Sequence, residues 1–299
     1  MLTIDKISKT YSNGVKALNE VSLSIPVGMY GLLGPNGAGK SSLMRTLATL
    51  QQPDSGKISF GDINVLKQSD ALRRQLGYLP QDFGVYPRVS ADEMLNHIAM
   101  LKGFNKRSER KALVDDLLQQ TNLYQHRKKA LSSYSGGMRQ RFGIAQALIG
   151  DPQLVIVDEP TAGLDPEERN RFHNLLADIG ERKVVILSTH IVEDVADLCS
   201  RMAIMIQGRI ALEGRPANLM AAMINKIWAK TVPKAALAEY RQQFQVISTH
   251  LFAGQMRIHV LSEDPPEGGF ERVGVGLEDV YFSTVVRNKP VHTQQTQTL

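Results

Sequence analysis

The sequence predicts an α/β fold with a largely parallel sheet, and two observations carry this prediction. First, short apolar strands alternate with helical patterns, and each strand precedes a turn or a helix. Second, strand signals disappear between about residues 82 and 150, where helical periodicity replaces them. We therefore expect a sheet domain with an inserted helical subdomain. The predicted strands are GMYGLL, LVIVD (154–158), KVVILST (183–189) and RMAIMI.

The predicted elements fall into three segments. Residues 1–217 form the sheet domain, and its helical insertion contains ADEMLNHIAMLKG, SERKALVDDLLQQT and GMRQRFGIAQALIG. Residues 218–286 predict a small α+β domain with a strand (KIWAKTV), a helix (PKAALAEYRQQF) and a hairpin (QVISTHLF and QMRIHVLS). A last helix has one apolar face, formed by Leu277, Val280, Tyr281 and Val285. Residues 287–299 have few apolar side chains, so we expect a disordered tail.

The composition is that of a globular chain in a reducing compartment. Hydrophobic residues make up 42% of the 299 positions, enough for one large or two modest domains. The single cysteine, Cys199, cannot form an internal disulfide, and no Cys/His cluster has metal-ligand spacing. The net charge is +5, but the basic residues are scattered, so we expect a solvated surface and no nucleic-acid partner. No apolar run approaches the ~18 residues that span a bilayer, and charges interrupt the first residues, unlike a signal peptide.

Residues 34–42, GPNGAGKSS, carry the strongest chemical signal. They match G-x-x-x-x-G-K-S, follow an apolar strand and precede the helical KSSLMRTLATL, which is the context of a phosphate-binding P-loop. Glycines let such a loop wrap the phosphates, the lysine adds a positive charge, and the serine hydroxyl reaches Mg²⁺. The alternative is a glycine-rich turn with a solvated lysine. The predicted nucleotide-binding residues here are Asn36, Gly37, Gly39, Lys40, Ser41 and Ser42.

LVIVDEP supplies a second signal. The apolar strand delivers Asp158 to its carboxyl end, where α/β sheets bind ligands, and a carboxylate there can hold Mg²⁺ through water. Taken alone, an aspartate after a buried strand is also a common cap. With a P-loop upstream we expect metal support, and Glu159 then lies beside the γ-phosphate, where it can orient or deprotonate a water molecule.

A second glycine-rich loop follows in SSYSGGMRQR (132–141), where glycines expose backbone N–H groups at a helix start. Taken with the two preceding motifs, it makes residues 1–217 resemble the ATP-binding subunit of an ABC transporter. The resemblance implies an α/β P-loop NTPase (ABC ATPase) core with an inserted helical subdomain and a small C-terminal α+β appendage. It also implies that Ser135, Gly136 and Gly137 cover the ATP held by a second copy, which predicts a homodimer around two ATP molecules with Mg²⁺.

The resemblance gives roles to five further residues. Tyr11 stacks on adenine with Val15 beside it, although a packing tyrosine in a strand pair is the alternative. Gln81, in GYLPQDFG, touches Mg²⁺ and water, while His190, in LSTH, contacts the γ-phosphate; a histidine at a strand end is otherwise structural. Asp165, in TAGLDP, belongs to the loop that passes between the two subunits, and it also suits the N-cap of a helix.

The sequence departs from the family pattern at two signature positions. The usual LSGGQ reads Tyr134-Ser135-Gly136-Gly137-Met138, so the leucine and the glutamine are both replaced. The serine hydroxyl and the backbone N–H groups remain, so we expect phosphate capture to survive. Near the C-terminus, VGVGLEDVYFSTVV is similar to the ending PSLEDVF of exporter ATPases, with Val-Gly in place of Pro-Ser, which favours export.

The function implied is that of an ATP-hydrolysing motor. Two copies would bind Mg·ATP, close and open under two separate transmembrane permease subunits, at the cytoplasmic face of the membrane. One alternative is a non-transport ABC ATPase that acts on ribosomes or DNA; the second ATPase domain, coiled coils or zinc motifs typical of those proteins are missing from the sequence. A second alternative is a nucleotide-binding module without turnover, which Glu159 argues against.

Overall fold

A computed structural model describes residues 1–84, 86, 88–161, 163–252 and 254–288. The chain divides into two compact units, Met1–Ile210 and the part that begins at Ala211. The sequence places this boundary after residue 217, whereas the division falls inside the strand Arg209–Gly214. The turn residues near 214–216 suggested the later boundary. Residues on either side of Ile210 have most of their contacts within their own unit, so the division lies there.

The strands lie as follows: β1 Leu2–Thr10, β2 Lys16–Ile25, β3 Gly28–Leu33, β4 Ser55–Phe60, β5 Ile63–Asn64, β6 Leu76–Leu79, β7 Leu154–Asp158, β8 Val184–Thr189, β9 Arg201–Ile206, β10 Arg209–Gly214, β11 Ile227–Val232, β12 Val246–Phe252, β13 Gln255–Leu261 and β14 Glu271–Arg272. The helices are α1 Lys40–Leu47, α2 Ser69–Arg74, α3 Ala91–Leu101, α4 Arg107–Gln120, α5 Gly136–Leu148, α6 Pro166–Gly180, α7 Val192–Leu198, α8 Pro216–Ala221, α9 Leu237–Gln243 and α10 Leu277–Arg287.

The predicted parallel sheet forms the centre of the first unit, with strand order β10-β9-β3-β8-β7-β6. β3 pairs in parallel with β8 and β9, β7 pairs in parallel with β6 and β8, and every residue of β7 and β8 is buried. Burial on both faces explains why these strands are continuous apolar runs. The carboxyl ends of β3, β7 and β8 consequently lie side by side.

A second, antiparallel sheet was not predicted from the sequence. Its strand order is β2-β1-β4-β5, and its buried face shares one hydrophobic core with α1 and the parallel sheet. Leu2, Ile4, Ile7, Leu18 and Leu43 are among the fully buried side chains of this core. The sheet therefore fixes the position of α1, at whose N-terminus the P-loop ends.

The helical subdomain contains α3, α4 and α5. Ser90 begins α3 with a capping box: its hydroxyl accepts from the Glu93 N–H, and the Glu93 carboxylate accepts from the Ser90 N–H at 2.8 Å. Apolar side chains join the helices, including Leu95, Val114 and Phe142, all of which are buried. This part of the chain lies between β6 and β7 in sequence, so it is an insertion in the parallel sheet.

The second unit has a sheet of strand order β12-β13-β11-β14 with antiparallel pairs, and the predicted hairpin is β12–β13. On α10, three of the four predicted apolar residues are buried, while Val285 is half-buried. The helix continues through Arg287, one residue into the segment 287–299 that was expected to be a disordered tail. The rest of the predicted tail, from residue 289 onward, lies outside the described residues.

Candidate active site

The P-loop connects β3 to α1, and its glycines are required by close backbone contacts. A Cβ at Gly39 would lie 2.3 Å from the Ala17 carbonyl oxygen, and one at Gly34 would lie 2.4 Å from that of Met205. Gly39 also has φ +104°, a left-handed conformation that other residues rarely adopt. The loop thus lies against β2 and β9, and its last glycine is the N-cap of α1.

Lys40 extends back over this loop and is only 5% exposed. Its Nζ donates to the carbonyl oxygen of Gly34 at 2.6 Å and lies 3.7 Å from Glu159 Oε1. Burial lowers the pKa of the Lys40 ammonium, while the nearby carboxylates of Glu159 and Asp158 raise it. A positive charge is therefore held next to the loop, inside the protein.

Asp158 ends β7 and is 3% exposed. Burial raises the pKa of its carboxyl group, whereas the hydroxyls of Ser188 and Ser41 and the charge of Lys40 act in the opposite direction. Among the described residues, its Oδ1 has no hydrogen-bond partner although it is buried. A buried carboxylate oxygen without a partner fits a hard cation such as Mg²⁺, and the Ser41 hydroxyl, which interacts with the same carboxyl group, is a further oxygen ligand for it.

Glu159 directly follows β7 and has φ +50°, and its N–H donates to the carbonyl oxygen of Ser188 in the neighbouring strand β8 at 2.8 Å. One carboxylate oxygen faces Lys40, and the other lies 2.9 Å from Nδ1 of His190. The carboxylate is 11% exposed, whereas the His190 side chain is 45% exposed. A strained backbone thus holds a carboxylate between a lysine and a histidine at the carboxyl end of the sheet.

One cleft of about 690 Å³ brings most of the predicted site residues together. Tyr11 and Val15 reach it through a tight turn in which the Tyr11 N–H donates to the Val15 carbonyl oxygen at 2.9 Å. Gln81 lines the cleft from the segment after β6. The predicted residues that line it are Tyr11, Val15, Asn36, Gly37, Gly39, Lys40, Ser41, Ser42, Gln81, Glu159 and His190.

The Ser-Gly-Gly loop does not line this cleft. Ser135 is the N-cap of α5, where its Oγ accepts from the Met138 N–H at 3.2 Å, and both Ser135 and Gly136 are exposed. A Cβ at Gly137 would lie 2.5 Å from a carboxylate oxygen of Glu168, so the helix start is in close contact with α6. Within a single chain, the P-loop therefore lines the cleft and the Ser-Gly-Gly loop lies outside it.

Two flanking residues have clear structural roles. Tyr134, at the signature position where the family has leucine, is 2% exposed, and its hydroxyl donates to the carbonyl oxygen of His126 at 3.0 Å. Asp165 is the N-cap of α6, since its carboxylate accepts from the Glu168 N–H at 2.8 Å and Pro166 follows at the first helical position. The predicted cap is thus present, and Asp165 does not line the cleft.

Comparisons with known proteins identify the family. Residues 18–162 match the family model described as ABC transporter. The Nod factor export ATP-binding protein I of Rhizobium etli is 38% identical over 221 residues, which cover 73% of this chain and 69% of that protein. The chain belongs to the ABC transporter ATP-binding proteins. An uncharacterized ABC transporter ATP-binding protein of Bacillus subtilis, YxlF, is 31% identical over 95% of this ABC ATPase and 99% of its own length, so that similarity spans both units.

A solved structure supports the fold and the activity. An ATP-binding cassette in a dimeric post-hydrolysis state, bound to ADP and Pi, superposes with a TM-score of 0.66 at 25% identity, covering 72% of this chain and 98% of the cassette. The α/β fold predicted from the sequence is therefore confirmed, and this ABC ATPase binds and hydrolyses ATP. In the part of the chain that the structure describes, no helix is long and apolar enough to cross a membrane.

Several residues that line the cleft of the ABC ATPase were not predicted from the sequence. Lys16, Ala17, Ala38 and Gln207 complete its wall. Ala38 occupies a position of the P-loop motif at which any residue type is allowed. Lys16 and Ala17 come from β2, and Gln207 comes from the turn between β9 and β10. Gln207 has φ +49° in that turn. No sequence signal identifies these three, because only the packing of the two sheets brings them to the P-loop.

Proposed function

We propose that this ABC ATPase is the motor subunit of a membrane exporter and that two copies close around two Mg·ATP molecules. The observation that carries the proposal is the division of the phosphate-binding groups. The P-loop, Glu159 and His190 share one cleft, while Ser135 and Gly136 lie exposed outside it. A second copy could supply the missing loop to each cleft.

Within one cleft, each group suits one part of the nucleotide. Backbone N–H groups of Gly37 and Gly39 and the Lys40 ammonium can bind phosphate oxygens, as in other P-loops. Tyr11 and Val15 lie on the side where a base would stack. Ser41, Asp158 and Gln81 offer oxygen atoms to Mg²⁺, and the unpartnered Oδ1 of Asp158 supports this assignment. Bound Mg²⁺ would neutralise charge on the phosphates.

Hydrolysis would use Glu159 as the general base. Its carboxylate can accept a proton from a water molecule placed between it and the γ-phosphate, so the proton would move to a Glu159 oxygen atom. His190 lies 2.9 Å from the other carboxylate oxygen and orients the group. Lys40 Nζ lies 3.7 Å from Oε1 of Glu159, so a positive charge faces this carboxylate from the P-loop side.

The second copy would complete the site. Ser135 begins a helix of 13 residues, so its hydroxyl, the following N–H groups and the helix dipole all favour an anion. Hydrogen bonds to a charged group contribute about 1.5–3 kcal/mol each, and those to the γ-phosphate are lost after hydrolysis. ATP would therefore close the dimer and ADP would let it open. Asp165, on the adjacent loop, would lie near the subunit boundary.

Transport requires subunits that cross the membrane, and no helix among the described residues is long and apolar enough to do so. The named activity of the Rhizobium relative is export, and the LEDV segment that begins α10 is similar to the ending of exporter ATPases. We infer two transmembrane permease partners and a position at the cytoplasmic face of the membrane. Action on ribosomes or DNA remains the alternative function, and no concentrated basic surface in the sequence favours it.

A fractionation experiment separates these functions. The tagged Glu159→Gln variant, which should hold ATP, is cross-linked in cells with ATP present and then recovered from membranes, ribosomes and DNA. We expect the Glu159→Gln variant to be recovered with integral membrane proteins, and we expect the Lys40→Ala variant not to be. Cells that carry the wild type should also export a substrate in an ATP-dependent way. Recovery with ribosomes or DNA, or ATP-dependent uptake instead of loss, would contradict the proposal.

A further inference from the structure

Gln51 connects the base side of the cleft to its phosphate side, although it belongs to none of the sequence motifs. It lies after α1, and its Oε1 is 3.1 Å from the hydroxyl oxygen of Tyr11. That same hydroxyl oxygen is 3.0 Å from Ser42 Oγ in the P-loop helix. On its other side, the Gln51 amide nitrogen donates to the Ser42 carbonyl oxygen at 2.8 Å and to Thr46 Oγ1 at 2.9 Å.

The surrounding groups fix the orientation of the Gln51 amide. The Thr46 hydroxyl donates to the Ser42 carbonyl oxygen at 2.8 Å, so its free lone pair can accept from Gln51 Nε2. A reversed amide would place a carbonyl oxygen 2.8 Å from the Ser42 carbonyl oxygen, and two acceptors would then face each other. The carbonyl end of Gln51 must therefore face Tyr11.

This orientation determines where the hydroxyl protons point. A carbonyl oxygen only accepts, so the Tyr11 hydroxyl donates its single proton to Gln51 Oε1. The Ser42 hydroxyl must then donate to the Tyr11 oxygen. The bonds run in one direction, from Ser42 to Tyr11 to Gln51, and they lie in a part-buried place where chains of hydrogen bonds strengthen one another. The outer end of the Tyr11 ring is thus held by two bonds.

We propose that Gln51 is a positioning residue of the nucleotide site: it accepts the Tyr11 hydroxyl proton and so fixes the ring for stacking on a nucleobase. The inference rests on the proposed role of Tyr11. A ring fixed before binding loses less conformational freedom when the base arrives, and this raises affinity. The effect of Gln51 should therefore appear only with ligands that carry a base.

The experiment compares two ligands, Mg·ATP and Mg·tripolyphosphate, by isothermal titration calorimetry on the full chain. Gln51→Leu removes the acceptor while keeping a side chain of similar size. We expect its affinity for ATP to fall about fivefold, the effect of one net hydrogen bond, with its affinity for tripolyphosphate unchanged. Gln52→Leu is the matched control, because Gln52 is the exposed neighbour, and both affinities should match the wild type.

Tyr11→Phe keeps the ring but removes the hydroxyl, so it should reproduce the selective loss of ATP affinity. The double variant should then be no weaker than the stronger single variant, since both changes break the same bond. If Gln51→Leu fails to fold, Gln51→Met takes its place in the same comparison of the two ligands, because it also removes the acceptor of the Tyr11 hydroxyl proton.

Three results would overturn the inference. The first is an equal loss of affinity for both ligands in Gln51→Leu, which would indicate a structural role in α1. The second is no loss of affinity for either ligand in that variant. The third is a loss of ATP affinity in the double variant that equals the sum of the losses in the two single variants. Failure of the proposed function itself would look different. In that case the wild type would bind neither ligand, or Lys40→Ala would leave both affinities unchanged.

Discussion

Replacing Glu159 with glutamine should separate ATP binding from ATP hydrolysis. Glutamine has nearly the same size, and its carbonyl oxygen can still accept from Nδ1 of His190, which lies 2.9 Å from the present carboxylate. It has no basic oxygen, however, so a water molecule near the γ-phosphate loses its proton acceptor. General bases contribute 10²–10⁴-fold to rates. We therefore expect hydrolysis at least ~100-fold slower, equivalent to about 2.7 kcal/mol in the barrier.

ATP affinity should stay the same or increase in this variant. The substitution removes a negative charge 3.7 Å from Lys40 Nζ, in a part-buried place where charges are weakly screened. Lys40 is then available to the phosphates without competition from Glu159. The structure thus predicts that one change of atom type lowers turnover without lowering ATP binding.

The assay measures phosphate release in a single turnover together with ATP affinity at equilibrium. Glu181→Gln is the matched control because Glu181 is an exposed carboxylate after α6, outside the cleft, and both quantities should be unchanged there. Wild-type turnover in Glu159→Gln would refute the general-base assignment. A parallel loss of ATP binding would refute the claim that Glu159 acts only on the water molecule.

Two further predictions concern stability. Burial raises the pKa of the Asp158 carboxyl group, so its charged form is disfavoured in the folded state. The free energy of unfolding without Mg²⁺ should therefore increase as the pH falls through that pKa. Asp158→Asn removes the charge, so it should raise the Tm in EDTA by about 2 °C. That variant should also lose the extra Tm that Mg²⁺ gives with ATP, and a lower Tm in EDTA would contradict the assignment. Asp165→Ala removes the N-cap of α6, so it should lower the free energy of unfolding, measured in urea, by about 1 kcal/mol. Asp165→Asn keeps a capping oxygen atom and should lower it little. Equal decreases in the two variants would exclude a capping role.

The sequence predicted the parts of the fold that have strong local signals. Strands β7 and β8 are buried on both faces and read as apolar runs, and the P-loop glycines are fixed by close backbone contacts. The antiparallel sheet was missed because its strands are half-exposed and irregular. Register shifts interrupt the pairing of β1 with β2, and Lys6 and Glu20 have positive φ, so the alternation of apolar and polar residues is broken.

The site residues likewise fall into those with a local sequence signal and those without one. Motif residues such as Lys40 and Glu159 were predictable because spacing and flanking elements identify them. Gln207 reaches the cleft only through the turn between β9 and β10, and Gln51 acts through side-chain bonds to Ser42 and Tyr11. These positions depend on tertiary packing, for which the sequence carries no local pattern.

The most direct test of the shared site uses two variants in a Glu159→Gln background and measures Mg·ATP occluded per dimer. Lys40→Ala damages the P-loop, and Ser135→Arg places bulk and charge at the exposed start of α5, so neither homodimer should occlude ATP. In the mixed dimer both changes fall in one composite site, and the other site has a normal P-loop and a normal Ser-Gly-Gly loop. We predict that the mixture recovers occlusion. If it stays as inactive as its parents, although subunit exchange is demonstrated and the unmutated dimer occludes ATP, the two loops do not form one site across the dimer.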